Sequence, residues 1–325
     1  MKTKFAIGCL IQWYEIDMIS EYVDSLKDAV ISYDGEIYID INFVMNQDLE
    51  KSTMTQSEMD DAKLKVYNMF LDLQKLRDGI LVFTNYSKNI YTIADYRRDF
   101  NNKFCDSVDV LVWGESDMIV PKQMFISLDL LHQEQSSITP KYIATFAICK
   151  MWDDSWKQIE HPDFTNKPFI EGDTKNWWNI PYTMTKDEMN SFNDKVINLE
   201  LKLIKPHKFN GCGLAISSEI IKTGVNIPKS SFFIHEDTSF MIMLHKILGD
   251  IPQYHFGNIL LVHNRKHKNK RKYVNGESDS DYIDIKRKRF DWYNIANKMC
   301  EQNNANLFNA NYKSFTWHDV WNSIK

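Results

Sequence analysis

Two carboxylates follow a mostly apolar run in the first half of the chain. Residues 108–113 lead through a glycine into Glu115 and Asp117. Side chains two residues apart in an extended segment point the same way, and open α/β sheets bind ligands at the carboxyl ends of their strands. Two converging carboxylates at such a place indicate a hard divalent cation that carries a phosphate-bearing substrate. The alternative is a strand that simply ends in a polar turn.

A second pair of acids begins a predicted helix in the C-terminal half. Glu236 and Asp237 precede apolar residues at helical spacing, which are Phe240, Met241, Leu244 and Ile247. Acids in a first turn are stabilised by the helix dipole, so capping alone would explain the pair. The functional interpretation is a general base, with one carboxylate accepting the proton of an attacking hydroxyl.

Two further motifs offer a glycine-bearing turn and a late histidine. Gly211 and Gly213 allow the backbone to turn sharply or to approach a ligand, and Ser217 or Ser218 can cap the helix that follows. His263 ends the apolar run 259–262. Taken alone, a histidine at a strand end is an ordinary surface or core residue.

The elements that must position these residues alternate between strand and helix. The predicted strands are Phe5–Ile11, Ile37–Val44, Gly79–Thr84 and the run before Glu115. The predicted helices are Ile16–Ala29, a segment from about residue 62 to Lys75, and Tyr96–Cys105. This alternation predicts an α/β fold whose mostly parallel sheet is covered by helices on both faces.

Composition narrows the class of protein. The chain has 325 residues, 43% of them hydrophobic, and a net charge of −5, so a globular protein is expected and general affinity for nucleic acid is not. The five cysteines lack metal-type spacing and are expected to be reduced thiols in a cytoplasmic protein. Gln12, Glu15 and Asp17 cut the N-terminal apolar run short, and no segment has the length of a membrane span.

The order of the motifs resembles that of the inverting, metal-dependent glycosyltransferases with the GT-A fold, in particular enzymes like those of glycosyltransferase family 2. That order is a first strand with a polar and aromatic loop, an arginine-bearing helix, an acid-x-acid strand end, a glycine segment, a Glu-Asp helix start and a late histidine. It spans about residues 5–265. The resemblance implies a Rossmann-like GT-A sheet and an enzyme that moves a sugar from a nucleotide-diphosphate sugar, with UDP-sugar favoured, to an acceptor hydroxyl.

The resemblance also implies a cation site. Asp117 would be the principal ligand of Mn²⁺ or Mg²⁺, and Glu115 would assist it or face the ribose. His263 would complete the metal or diphosphate site, and an imidazole ligand suits Mn²⁺ better than Mg²⁺. This chain has Glu-Ser-Asp where the family usually has Asp-x-Asp.

The loop after the first strand would grip the base and ribose of the donor. Its residues are Gln12, Trp13, Tyr14 and Glu15. An aromatic ring can stack on uracil while a carboxylate accepts a hydrogen bond from ribose or base. The alternative is that Trp13 and Tyr14 are core residues.

Three further roles follow from the resemblance. One of Arg97 and Arg98, preferably Arg97, would pair with the diphosphate while the other faces solvent. Gly213 would lie against the donor. Asp237, rather than Glu236, would be the base that deprotonates the acceptor.

The acceptor is harder to predict. The basic run Arg265 to Lys272 is a lid over the diphosphate, a surface for DNA or RNA, or a solvated charge run without a partner. Composition rich in Lys, Asn and Ile is typical of AT-rich genomes, including phages, some of which glycosylate hydroxymethylated bases in their DNA. The tryptophan-rich segment 152–193 is a candidate wedge for base flipping. The acceptor is therefore 5-hydroxymethylcytosine in phage DNA, or a glycan or surface polysaccharide.

Two other classes of protein remain open, a nucleotidyltransferase and a non-catalytic nucleotide-sugar-binding protein on the same fold. The first usually opens with a glycine-rich, basic phosphate loop, which residues 7–13 lack. The predicted domains are a glycosyltransferase-like domain over 1–272, with an insertion at about 150–205, and a helical extension over 273–325. The helix of the extension is expected at Ile283–Cys300, and the aromatic tail 315–321 would dock on the body, a partner or the acceptor.

Overall fold

The computed structural model describes most of the chain. The described residues are 2–16, 18–44, 55–87, 91–147, 151–152, 158–159, 185–204, 208–209, 211–231, 235–264, 290–306, 308–311 and 316–319. The basic run and most of the tryptophan-rich segment, together with the predictions made for them, lie outside these residues.

The central sheet contains eight of the strands in the described residues. They are β1 Phe5–Gln12, β2 Ile37–Val44, β3 Ile80–Ser87, β4 Val110–Trp113, β6 Ile143–Ala147, β9 Leu201–Ile204, β11 Ala215–Ser217 and β12 Gln253–Leu260. Their order across the sheet is β3-β2-β1-β4-β11-β6-β12-β9. Two smaller sheets contain β5 Met118–Ile119 with β13 Val262–His263, and β7 Met151–Trp152 with β8 Gln158–Ile159 and β10 Lys208–Phe209.

The central sheet is mostly parallel, as the sequence predicted. β1 pairs in parallel with β2 and β4, β2 with β3, and β6 with β12. β11 runs antiparallel between β4 and β6, and β9 is antiparallel to β12. β9 therefore makes the end of the predicted insertion part of the central sheet.

Helices cover both faces of this sheet. They are α1 Ile19–Ile31, α2 Gln56–Gln74, α3 Ile93–Phe104, α4 Met124–Gln135, α5 Lys186–Asn193, α6 Ser218–Ile221, α7 Glu236–Leu248 and α8 Phe290–Asn306. Alternate residues of β1 serve two cores: Phe5 and Ile7 pack in the cluster that contains residues of α1, α2 and α4, whereas Ala6 and Leu10 pack in the cluster that contains residues of α3, α6 and α7. No helix of the described residues is both long enough and apolar enough to cross a membrane.

Two helices begin earlier than their hydrophobic pattern indicates, because polar residues cap them. The Thr55 hydroxyl accepts a hydrogen bond from the Glu58 amide, and the Glu58 carboxylate accepts one from the Thr55 amide. Thr92 and Asp95 form the same capping box at the start of α3. The boundary error therefore has a local cause: the first turns are defined by side chains that hydrophobic periodicity does not detect.

The predicted cap of the helix after the glycine segment is wrong. Ser217 occupies the position before α6, but it makes no side-chain cap. Its hydroxyl instead donates to the carbonyl oxygen of Pro140 at 2.5 Å. That bond ties the end of β11 to the residues just before β6.

The C-terminal segment packs on the body of the protein. Its helix, α8, spans Phe290–Asn306 in the described residues, and the predicted start at Ile283 lies outside them. The Cys300 sulfur lies 3.1 Å from the Ser239 hydroxyl on α7. Trp317 is 1% exposed, and its indole nitrogen donates to the Asp95 carboxylate at 3.1 Å. Asp95 thus caps α3 and also anchors the tail.

Removing the Trp317 ring should weaken the whole fold. We expect Trp317→Ala to lower the free energy of unfolding by about 3 kcal/mol, because a large buried ring is lost and Asp95 loses a donor. Phe308→Ala is the control, since Phe308 is 74% exposed, and it should change stability by less than about 0.5 kcal/mol. Urea unfolding of both variants measures the difference, and equal effects would show that the tail does not stabilise the body.

Candidate metal centre

A turn, rather than an extended strand, presents the acid-x-acid motif. β4 ends at Trp113, and the Met118 amide donates to the Glu115 carbonyl at 3.0 Å. The predicted extended geometry is therefore wrong, although the predicted convergence of Glu115 and Asp117 is found. The turn folds both carboxylates toward a histidine from a distant strand.

His263 lies beside the acids because the chain leaves the central sheet after β12 and continues in β13, which pairs with β5. The register of β12 against β6 shifts between Phe256 and Leu260, after which β13 pairs with β5 and places His263 opposite Met118. The Asn264 amide donates to the Asp117 carbonyl at 2.6 Å, which closes the pairing beside the acids.

His263 lies between the two carboxylates of the motif. Its Nε2 is 3.1 Å from Glu115 Oε2 and 3.3 Å from Asp117 Oδ1. Burial lowers the pKa of His263, but Asp117 and Glu115 outweigh it, so the net direction is upward. Burial raises the pKa of Glu115, but His263 and then Arg97 outweigh it and bring it to about 2. The cluster is therefore strongly charged.

The donor set fits a divalent cation. Two carboxylates and one imidazole are the ligands that Mn²⁺ and related cations take. Octahedral coordination with bonds of about 2.1 Å puts neighbouring ligand atoms about 3 Å apart, which matches the 3.1 Å and 3.3 Å separations around His263 Nε2. His263 Nε2 is thus brought next to both predicted carboxylate ligands. Asp117 does not belong to the group of donors in the described residues whose atoms all lie within 4.8 Å of one another, which consists of Glu115, Cys212 and His263.

Arg97 links this cluster to the second acid pair. Its side chain is 2% exposed, and its two terminal nitrogens lie 2.6 Å from Glu115 Oε1 and 2.6 Å from Glu236 Oε1. The guanidinium also lies 4.8 Å from the centre of the Trp113 ring. The Arg97 guanidinium thus joins the two acid motifs, through Glu115 and Glu236, in one buried network.

Arg98 has a different partner. It pairs with Asp95 at 2.5 Å, and its side chain is only 14% exposed. The expectation that one arginine faces solvent is therefore wrong, because the capping carboxylate of α3 holds Arg98 against the protein.

Glu236 and Asp237 begin α7, as predicted; Glu236 is buried, whereas Asp237 is half-buried. Burial and then Asp237 raise the pKa of Glu236 to about 8, against the opposing effect of Arg97. Burial also raises the pKa of Asp237. Asp237 Oδ2 accepts from the Gly211 amide at 3.0 Å and Oδ1 from the Thr238 amide at 2.7 Å. These contacts extend beyond simple capping of the helix.

The glycine segment is shaped by the protein's own atoms. A Cβ on Gly211 would overlap the Arg97 guanidinium, so this glycine makes room for the buried cation. Gly213 has a φ of +72°, and a Cβ there would overlap the Leu261 side chain. A donor contact at Gly213 stays a prediction.

The predicted nucleotide loop is a single 3₁₀ turn over Trp13–Glu15. Glu15 is 5% exposed, and its carboxylate accepts from the Gln12 amide at 2.8 Å. Trp13 is partly buried against the main core, which favours the packing alternative for this ring. The Tyr14 side chain lies outside the described residues. A role for this loop in binding the donor stays a prediction.

Sequence reasoning missed one residue of the site. Donor atoms of Glu115, Cys212 and His263 all lie within 4.8 Å of one another. Cys212 has no second cysteine nearby in the sequence, and the histidine five residues before it, His207, was not singled out by any motif, so the spacing did not identify this thiol. Only the fold places its thiol beside the carboxylate and the imidazole.

Among known proteins, this chain is similar in structure to several solved structures. No family model matches the chain, and no curated protein matches it. The 1–349 structure of S. aureus TarS is 10% identical, with 94% of this chain and 72% of that chain covered and a TM-score of 0.47.

Two further structures are similar at a comparable level. The mannosyltransferase PcManGT from Pyrobaculum calidifontis, in complex with GDP-Man and Mn²⁺, is 9% identical, with coverage of 78% and 54% and a TM-score of 0.44. Glucosyl-3-phosphoglycerate synthase from Mycobacterium tuberculosis, in complex with Mg²⁺ and UDP, is 10% identical, with coverage of 84% and 75% and a TM-score of 0.42. The chain spans about half the length of the mannosyltransferase chain and 41% of the longer TarS chain.

The raised pKa of Glu236 gives a prediction for stability against pH. Folded Glu236 keeps its proton up to about pH 8, whereas in the unfolded chain the same carboxyl loses it near the ordinary value of 4.5. The folded state therefore binds more protons between these values, and its stability falls as pH rises, by at most about 1.4 kcal/mol per pH unit from this group.

Glu236→Gln should remove that part of the pH dependence. Urea unfolding at about pH 5 and about pH 8 should show a smaller loss of stability in the variant than in the unaltered protein. Glu58→Gln is the control, because hydrogen bonds from Thr55 lower the pKa of the Glu58 carboxyl, whereas the pKa of Glu236 is raised. An unchanged slope in Glu236→Gln would mean that Glu236 is ionised throughout.

Proposed function

We propose that this chain is a metal-dependent, inverting glycosyltransferase that moves a sugar from a nucleotide-diphosphate sugar, with a UDP-sugar favoured, to an acceptor hydroxyl. The observation that carries the proposal is the buried network in which Arg97 joins Glu115, beside His263 and Asp117, to Glu236. A cation site and a candidate base thus belong to one rigid arrangement at the end of the parallel strand β4.

Glu115, Asp117 and His263 would hold the cation against the donor diphosphate. The bound cation would supply Lewis-acid stabilisation of the negative charge that develops on the leaving group. Arg97 adds fixed positive charge beside these ligands, although both of its terminal nitrogens contact carboxylates. Its role is therefore electrostatic and positional, since it fixes Glu115 and Glu236 relative to each other.

The nucleoside would bind at the neighbouring strand end. β1 and β4 are adjacent and parallel, and Gly8 is paired with Trp113, so the segments after the two strands emerge at the same edge of the sheet. The turn over Gln12, Trp13, Tyr14 and Glu15 therefore lies on the side where a nucleoside would extend from the cation site. The exposed part of the Trp13 ring, whose other part packs on the core, or the Tyr14 ring would stack on the base, and Glu15 would accept a hydrogen bond from base or ribose.

Asp237 would be the general base. Glu236 pairs with the Arg97 guanidinium, whereas Asp237 accepts hydrogen bonds from the backbone amides of Gly211 and Thr238, so its carboxylate is the less constrained by charge. Burial raises the pKa of Asp237, which suits a group that must accept a proton. Attack of the deprotonated hydroxyl on the face opposite the diphosphate inverts the anomeric carbon.

Donor hydrolysis tests this proposal without knowledge of the acceptor. We expect the protein, with Mn²⁺, to release nucleoside diphosphate from one member of a panel of UDP-glucose, UDP-N-acetylglucosamine, UDP-galactose and GDP-mannose. Asp117→Asn should lower that rate by at least about 100-fold, because a cation ligand is weakened. Asp106→Asn is the matched control, since Asp106 is exposed and lies in the turn before β4, at the opposite end of that strand from Glu115 and Asp117.

Thermal shift with the same panel detects donor binding even if the enzyme hydrolyses no donor in the absence of its acceptor. A donor that raises the melting temperature only with Mn²⁺, and not in Asp117→Asn, supports the proposal. If no donor is hydrolysed and none stabilises the protein with or without the cation, the glycosyltransferase proposal fails. If the chain is instead a non-catalytic donor-binding protein of this fold, the donor would raise its melting temperature, and no turnover would appear when acceptors are added.

For the acceptor, we propose 5-hydroxymethylcytosine in DNA, with a glycan as the alternative. Support comes from the basic run Arg265 to Lys272, which directly follows the cation-site histidine in the sequence. Replacing the lysines and arginines of that run with serine should abolish transfer to hydroxymethylated DNA and spare donor hydrolysis. Equal loss of both reactions would instead indicate a lid over the diphosphate, and transfer to glycans alone would exclude the DNA acceptor.

A further inference from the structure

We propose that Cys212 is a protein ligand of the cation site, next to Glu115 and His263, and that the site therefore prefers thiophilic divalent cations to Mg²⁺. This inference rests on the cation site of the proposed function, to which it adds a sulfur ligand and a metal preference. The motif resemblance gives no reason to expect a thiol at this place.

The positions of the donor atoms carry the proposal. The Cys212 sulfur, a Glu115 carboxylate oxygen and a His263 ring nitrogen lie within 4.8 Å of one another. One cation with bonds of about 2.1 Å to nitrogen or oxygen and about 2.3 Å to sulfur bridges ligand atoms up to about 4.4 Å apart. Movements of a few tenths of an ångström would therefore bring all three onto one cation.

The backbone holds Cys212 in this place. The preceding Gly211 amide donates to Asp237 Oδ2 at 3.0 Å, and the following Gly213 amide donates to the Trp113 carbonyl at 2.8 Å. Trp113 is the last residue of β4, directly before the acid-x-acid turn. The thiol is thus attached by two neighbouring residues to the same elements that carry the cation ligands and the proposed base.

The chemistry of a thiolate explains the expected preference. Cys212 is only 5% exposed, so little water can compete with a cation for its sulfur. Coordination releases the thiol proton to solvent, and the sulfur then favours Co²⁺, Zn²⁺, Cd²⁺ and, less strongly, Mn²⁺ over Mg²⁺. Cys105 offers a contrast: it is also buried, yet its sulfur lies 3.7 Å from the Asn102 carbonyl and belongs to no donor group of the described residues.

Cobalt binding to the full chain tests the proposal without an activity assay. Co²⁺ bound to any ligands absorbs in the visible range, and a cobalt–thiolate bond adds a charge-transfer band in the near ultraviolet. We expect both signals in the unaltered protein and in Cys105→Ser, and only the visible signal in Cys212→Ser. Cd²⁺ should bind Cys212→Ser at least about tenfold more weakly, while Mg²⁺ binding should change by less than about threefold.

The outcomes separate the two proposals. Visible absorption with no charge-transfer band in the unaltered protein, or an undiminished band in Cys212→Ser, overturns the role of Cys212 and leaves the cation site in place. If Co²⁺ does not bind at all, the cation site itself fails, and the role of Cys212 fails with it. Cys212→Ala and urea unfolding of each variant guard against loss of signal through unfolding, because a folded variant that lacks only the near-ultraviolet band supports the proposal.

Discussion

The burial of Arg97 is the constraint on which the rest of the site depends. A guanidinium that is 2% exposed loses its hydration, and the protein compensates with the ionised Glu115 carboxylate on one side and the Glu236 carboxyl group on the other, each at 2.6 Å. Those two carboxylates come from the end of β4 and the start of α7. Removing either would leave charge uncompensated in the core, so the two elements are held at a fixed distance by electrostatics as well as by packing.

The same constraint shapes residues that carry no charge. Gly211 must lack a side chain because the guanidinium fills that space, and Trp113 presents its ring to the guanidinium at 4.8 Å. The Trp113 indole nitrogen donates to Asn101 on the same helix as Arg97, which fixes the ring. The glycine segment, the end of β4 and α3 therefore meet around the buried Arg97 guanidinium. The proposed ligands of the divalent cation are attached to this group of elements.

Much of the fold could be predicted because β1, β2 and β4, at the centre of the sheet, are buried on both faces. A continuous apolar run such as β1 has no other stable place than the middle of a covered sheet, and the predicted bounds of β2 match the structure. The starts of α2 and α3 were missed because Thr55 and Thr92 cap them through side-chain hydrogen bonds. Such caps depend on a few polar atoms that periodicity does not weigh.

The site was predictable only as far as motifs run along the chain. Glu115, Asp117 and His263 were expected together from motif order, but the turn that joins them and the β13–β5 pairing depend on long-range contacts. The contact between Arg97 and Glu236 had no sequence signal, because the two residues come from separate helices. Cys212 was missed for the same reason, since its neighbours in space are distant in sequence.

The described network carries more acidic than basic groups. It contains four carboxyl groups, from Glu115, Asp117, Glu236 and Asp237, but only two basic side chains, Arg97 and His263. If every group were ionised, two negative charges would remain uncompensated in a buried region, which is costly. The raised pKa of Glu236 shows one response, since a retained proton removes one of these charges. A divalent cation bound to His263 would displace the imidazole proton and so add one net positive charge, which together with the proton on Glu236 balances the four carboxyl groups. The composition of the network therefore favours the cation that the proposed reaction requires.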